Sequence, residues 1–254
     1  MDWNATAYNK FKNERMQPSI DLVSRISGRQ LERIIDIGCG SGMSTIPIRE
    51  VWPKAKIIGV DYSEEMLKKA SDSGMDVEWV RRDCSRKIND LGTFDLVFSN
   101  AFLQWVDNQE EFLKNTHELL NDRGIIAMQV PSFDEMPIKE CIDLVAITYK
   151  DAFSDIYTQQ CHNENVGTYY DILNRYYSKV EIWETGYYHV MESHEAIIEF
   201  IKSTALRPYI SRLDEKGTNE FLKSVLEESK KYYKIQENNK VLFQFKRIFF
   251  VAEK

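Results

Sequence analysis

The chain is predicted to be an α/β protein built on a doubly wound, mostly parallel sheet of seven strands, and three observations predict it. Short apolar strands alternate with amphipathic helices as far as about Val130. The first strand runs directly into a loop with glycine at every second position, Gly38, Gly40 and Gly42. Beyond Pro131 two more strand patterns, over 178–183 and 241–252, suit an antiparallel pair that closes such a sheet.

Each element has its own signature. Residues 33–37 form a β-branched run, and a helix is expected over 44–51. The second strand, Ile57-Ile58-Gly59-Val60-Asp61, ends on an acid, and Ser63 is placed to cap a helix with Glu64 and Glu65 in its first turn. The third and fourth strands are read at 77–80 and 94–99, and the fifth at 124–130. Between the last two, Glu111, Phe112, Leu113, His117, Leu119 and Leu120 belong to a helix expected to stop near 121–124. Residues 136–153 and 194–233 read as helical. A single domain follows, with a sheet core over about 30–131, 170–191 and 241–254 and a helical lid over about 1–27, 132–165 and 192–238.

The glycine loop is the first functional signal. Glycines there allow a sharp turn and the close approach of a ligand to bare backbone. A dinucleotide loop needs its third glycine three residues after the second, and that position is Met43. Asp61, nineteen residues beyond Gly42, is placed to accept two ribose hydroxyls, and Asp36 suits an amino acid ammonium or the loop amides. A ligand with a ribose and an amino acid part but no pyrophosphate is S-adenosylmethionine. Gly38, Cys39, Gly40 and Gly42 then form its cradle, with Tyr62 beside Asp61. Asp83 is expected to accept from the adenine amino group with Cys84 beside it, Asn100 to touch the methionine part, and Phe102, Gln104 and Trp105 to wall the sulfonium.

Composition narrows the partners. Of 254 residues 43% are hydrophobic and 29% charged, with a net charge of −7, values suited to a globule with a real core and unsuited to a general polyphosphate partner. A small anionic substrate is expected, held by a local cluster of cations, with neither nucleic acid nor membrane as partner. No apolar run approaches the ~20 residues that span a bilayer, and the start Met1-Asp2-Trp3-Asn4 lacks a leader pattern, so a cytoplasmic location is expected. Cys39, Cys84, Cys141 and Cys161 lack metal or disulfide spacing, so no metal is expected. Oligomeric state is not read from the sequence, and a monomer is compatible with it.

These residues together resemble the class I S-adenosylmethionine-dependent methyltransferases, with their Rossmann-like sheet, and most closely the trans-aconitate 2-methyltransferases. Beyond the D-x-G-C-G-x-G-x-S-T loop, the resemblance rests on Asp2-Trp3-Asn4, Asn100-Ala101, Leu103-Gln104-Trp105 and Tyr169-Tyr170-Asp171-Ile172-Leu173. It continues through Ile182-Trp183, Tyr187-Tyr188-His189, Ser193-His194, Leu206-Arg207-Pro208 and Gln236-Glu237-Asn238. It implies methyl transfer from S-adenosylmethionine to one carboxylate of an unsaturated tricarboxylate, leaving S-adenosylhomocysteine.

That chemistry needs no catalytic side chain, because a carboxylate is ionised at neutral pH, and the protein's part is positioning. Arginine forks should grip the carboxylates that do not react, and the candidates are Arg15, Arg207 and Arg247, with Tyr170, Tyr188 and His189 adding neutral or switchable hydrogen bonds. Another acid or hydroxyl acceptor would use the same cofactor site, a hydroxyl with His189 or Asp134 as base, and a noncatalytic S-adenosylmethionine-binding module is the third reading. The chain departs from the family pattern at Gln17, where a second arginine is expected, and at Ser41 and Met43 in the loop. A different or smaller acid is the expected consequence if that arginine binds an anion.

Overall fold

A computed structural model describes residues 12–153, 163–202 and 204–254. Asp2-Trp3-Asn4 and Cys161 lie outside the described residues. Seven strands form one sheet in the order β3-β2-β1-β4-β5-β7-β6. The strands are β1 (Arg33–Ile37), β2 (Lys56–Asp61), β3 (Glu78–Arg81), β4 (Phe94–Asn100), β5 (Leu120–Pro131), β6 (Lys179–Met191) and β7 (Val241–Glu253). The first five pair in parallel, with Ile35 level with Ile58 on one side and Val97 on the other. β5 and β7 run antiparallel, since Lys254 donates to the Gly124 carbonyl while Ser132 donates to that of Lys246. Burial on both faces explains why β1 and β4 read as continuous apolar runs rather than alternating ones.

The helices between the strands begin where the sequence supplies a cap. The Ser63 hydroxyl accepts the Met66 amide ahead of α3 (Glu64–Ser71), and Asn108 accepts the Glu111 amide ahead of α4 (Gln109–Glu118). The other early helices are α1 (Lys12–Ile26) and α2 (Thr45–Val51). Two expected boundaries shift here. The α4 helix ends at Glu118 and the chain enters β5 at Leu120, passing Arg123 at φ 63° beside a register shift in β4. Nothing in the composition of 119–123 announces an early strand, because the β4 edge supplies its hydrogen-bond partners.

The chain divides into two compact units. One comprises Arg15–Pro131, Asn163–Thr185 and Ile248–Lys254, and includes α7 (Val166–Tyr176). Its main apolar cluster gathers alternate residues of the parallel strands, with Ile35, Val97, Phe94 and Ile126 fully buried. Tyr169 is buried with them, its hydroxyl 2.6 Å from Gln109 Oε1, and Trp183 stacks on Phe249 with the Arg25 guanidinium 5.1 Å from its ring. These motif residues therefore hold the fold together.

The second unit is built from 132–153, 186–202 and 204–247, with α5 (Pro137–Ala146), α6 (Lys150–Phe153), α8 (His194–Lys202), α9 (Arg207–Ile210) and α10 (Glu215–Tyr232). The expected helical stretches 136–153 and 194–233 are thus broken, the second by the turn at 204–206 ahead of Pro208. Phe153, Tyr209 and Phe221 pack ring to ring at 5.2 to 5.5 Å, and Leu206 is fully buried in the same core. β6 is longer than expected, and β7 matches its expected span and runs unbroken through the polar Lys246-Arg247 step. Among the described residues no helix is long and apolar enough to cross a membrane.

Candidate active site

The loop after β1 is shaped by backbone bonds first. The Gly38 and Cys39 amides both reach the Val60 carbonyl, at 2.8 and 3.1 Å, and the Gly40 amide donates to Asp61 Oδ2 at 2.9 Å. A Cβ on Gly38 would stand 2.5 Å from Phe102, and one on Gly42 would stand 2.9 Å from Trp79. Those two glycines, both at positive φ, also make room for neighbouring rings. Gly40, at φ +54°, faces open space. Trp79 and its fit against Gly59 and Gly42 escaped the sequence reading, because only the β2–β3 register sets Trp79 level with Gly59.

The acids are held differently from one another. Asp36 is completely buried, and its Oδ2 accepts from Ser44 Oγ at 2.9 Å and Thr45 Oγ1 at 2.6 Å. Hydroxyls, not loop amides, are therefore its partners, and its Oδ1 is buried with no partner. Burial pushes its pKa up to about 6, against the pull of the two hydroxyls. Asp61 accepts from the Gly40 amide through Oδ2 and the Ser63 amide through Oδ1, so each oxygen keeps lone-pair capacity for a diol. Tyr62 is well exposed, with the Arg81 guanidinium over its ring at 5.6 Å.

Asp83 accepts from the Ser85 hydroxyl at 2.6 Å and faces Arg86 Nε at 3.1 Å, and the Ser85 bond holds its carboxyl below the usual range. In this state it serves its own turn. Burial pushes the Cys84 thiol up to about 12 and the Cys39 thiol higher still, so both are small protonated fillers of the crowded loop.

At the carboxyl end of β4 the chain turns through Ala101 at φ 57°, a left-handed conformation that a side chain seldom adopts. Asn100 precedes it, and the Gln104 amide group donates to the Ala101 carbonyl at 2.8 Å. Asn100 Oδ1 and Gln104 Oε1 are both buried without a partner. Together with Asp36 Oδ1 they make three unsatisfied acceptors on the adjacent strands β1 and β4 and the turn that follows β4. Buried acceptors of this kind call for a donor. Phe102 packs on Gly38 and Phe112, a prop for the loop, and Trp105 is 51% exposed.

The acceptor-binding candidates fall in both units. Arg15 lies half-buried in α1, and Tyr170 is exposed on α7 next to the buried Tyr169. In the second unit Arg207 is exposed at the first turn of α9, and Tyr188 is exposed on β6. The neighbouring His189 faces the other way and is buried. Burial, with the charge of Arg247 behind it, lowers its pKa to about 4. With no anion beside it, His189 is therefore neutral throughout the neutral range. Asp134, the other candidate base, is exposed in a short 3₁₀ turn. Among the described residues no three His, Cys, Asp or Glu side chains gather as a metal site.

Comparison with known proteins fits this arrangement. Residues 34–124 match the family model of a methyltransferase domain. Solved structures with the same fold include YcgJ from Bacillus subtilis (TM-score 0.59, 13% identity, covering 94% of this chain and 98% of that one). The plantazolicin methyltransferase BpumL, solved with a desmethylPZN analog and SAH, aligns with TM-score 0.58 at 16% identity over 98% of this chain and 88% of its own. Trans-aconitate 2-methyltransferase of Escherichia coli is 35% identical over 253 residues, covering 100% of this chain and 98% of that protein. The enzyme of the same name from Klebsiella pneumoniae is 36% identical over the same span. With identity of that level from end to end, the chain belongs to the trans-aconitate 2-methyltransferase family, within the S-adenosylmethionine-dependent methyltransferases.

Proposed function

We propose that the chain transfers the methyl group of S-adenosylmethionine to one carboxylate of a small polycarboxylate, with trans-aconitate the first acid to test. The observation that carries the cofactor half is the set of three buried acceptors, Asp36 Oδ1, Asn100 Oδ1 and Gln104 Oε1. An ammonium is the donor with three protons and a charge, and it would satisfy such a set while drawing Asp36 back to its carboxylate form. The spare lone pairs of Asp61 suit a ribose diol, and the open backbone at Gly40 leaves space beside it. End-to-end kinship with trans-aconitate 2-methyltransferases supports the acid acceptor.

When bound, S-adenosylmethionine supplies an activated methyl, so an oxygen–carbon bond forms as the sulfur–carbon bond breaks and the electron pair stays on sulfur. The protein's residues then have two tasks. Asp36, Asn100, Gln104 and Asp61 would fix the donor, and cationic side chains would orient the acid through carboxylates that are not esterified. No group need remove a proton, since the acceptor is already an anion. Holding oxygen and carbon in line at near-attack distance is worth ~7 to 11 kcal/mol, enough to be the main catalytic contribution.

The test is calorimetry with S-adenosylmethionine, followed by mass spectrometry after separate incubation with trans-aconitate, cis-aconitate, citrate and isocitrate. A monomethyl ester on trans-aconitate is expected. Cofactor binding without ester on any acid would shift the acceptor to another class, and absence of cofactor binding would undo the reading.

A further inference from the structure

β6 and β7 place His189, Phe243, Phe245 and Arg247 on one buried face of the second unit. His189 and Arg247 are each only 6% exposed. The imidazole lies in a cage of rings, 5.4 Å from Phe200 of α8, 6.4 Å from Phe243 and 6.0 Å from Phe245, with Tyr187 of its own strand alongside. Packing alone would be met by phenylalanine there. Instead the site holds an imidazole whose Nε2 is buried with no hydrogen-bond partner, a costly arrangement that a ligand would relieve. Arg247 brings a full positive charge to the same place, its guanidinium 4.7 Å over Phe245.

We propose that His189 and Arg247 form an anion-recognition pair that grips a carboxylate the enzyme does not esterify. The inference rests on the reading of the acceptor as a polycarboxylate. A planar guanidinium and an imidazole N–H beside it match a planar carboxylate, and the phenyl walls exclude the water that would weaken the bond. Arg247 is the charged group acting on His189 among the described residues, and the groups facing it from α8, β7 and β6 are otherwise aromatic rings. Arrival of an anion reverses that balance and favours protonated imidazole, so acid binding should draw a proton onto His189 at mildly acidic pH.

Two variants separate the roles. His189→Phe keeps the packing and removes the donor, whereas His189→Gln keeps a donor near the Nε2 position and cannot titrate. With the full chain, His189→Phe should raise the KM for the acid roughly 10-fold or more, the size of one charge-assisted hydrogen bond, and leave the KM for S-adenosylmethionine unchanged. His189→Gln should restore most of that loss at neutral pH. Calorimetry of trans-aconitate binding at about pH 5.5, repeated in buffers of different ionisation enthalpy, should show proton uptake in the wild type and none in His189→Gln. A KM for the acid that His189→Phe leaves unchanged, or wild-type binding without proton uptake, would overturn the pair while leaving methyl transfer intact. If the wild type esterifies no acid, the functional reading fails separately. Acid binding by calorimetry without the donor still decides the pair: loss of binding in His189→Phe supports it, and no binding by the wild type overturns it.

Discussion

Replacing Asp36 with asparagine tests the physical basis of the cofactor site, because the fold holds this carboxyl at a cost that can be worked out. It is wholly buried, and two hydroxyls on Oδ2 do not compensate for the loss of water, so its pKa stands at about 6 against an ordinary 3.8. Well below pH 3.8 the group is protonated in folded and unfolded chains alike and has no net effect. As pH rises toward 6 the unfolded chain releases the proton first, so stability falls through this window and levels off above it. At about 1.36 kcal/mol per pKa unit, the whole difference amounts to about 3 kcal/mol. The asparagine variant cannot titrate at this position, and its amide oxygen can still accept from Ser44 and Thr45.

The stability of Asp36→Asn minus that of the wild type should therefore grow by about 2–3 kcal/mol between about pH 4 and pH 7.5, whatever constant offset the new amide group introduces. Urea unfolding at a series of pH values measures it, with the m value as a check that the unfolded state is unchanged. The same variant should lose S-adenosylmethionine affinity, since the carboxylate it lacks is the one offered to the ammonium. A difference that stays flat to within about 0.5 kcal/mol would refute the argument that Asp36 is held charged against its burial at neutral pH.

Other perturbations follow from single contacts. Gly59→Ala sets a Cβ 2.3 Å from the Trp79 ring in a strand paired on both sides, and should cost about 1–3 kcal/mol in urea unfolding; an unchanged midpoint would mean the ring moves freely. Tyr169→Phe removes the buried 2.6 Å bond to Gln109 and should lower stability by about 1–2 kcal/mol, with S-adenosylmethionine affinity untouched when measured by calorimetry. Arg207→Ala, at an exposed position, should leave the melting temperature unchanged and raise the KM for a polycarboxylate far more than that for S-adenosylmethionine; equal effects on both would count against its contact with the acid.

What the sequence discloses about this site is what the chain settles locally. A β-branched run ending in spaced glycines can only be a strand meeting a sharp turn, so β1, the loop and the acid at the end of β2 were legible from order alone. The partners of Asp36 were not, although Ser44 and Thr45 stand in the same motif. Only when the loop turns back do positions eight and nine residues on bring their hydroxyls to its carboxylate. Trp79 depends on a register between strands, and Arg247 interrupts an apolar pattern in a way that reads as a break until β7 is seen to bury it.

The more particular motifs of the second half divide on the same principle. Tyr169, Trp183 and Leu206 pack within the fold, and each is adjacent in sequence to an exposed residue, Tyr170, Glu184 or Arg207. A strand or helix that must bury one side chain presents its neighbour elsewhere, so a run of matching residues cannot tell which member packs and which is left for a ligand. His189 breaks that rule, being buried like a core residue yet carrying a polar atom that the core does not satisfy. Its neighbour Tyr188 is exposed, and the parity of β6 alone would assign ligand contact to the tyrosine. The unpaired nitrogen is what the proposed pairing with Arg247 uses against that parity, because an exposed hydroxyl has water for a partner, whereas the buried nitrogen has none.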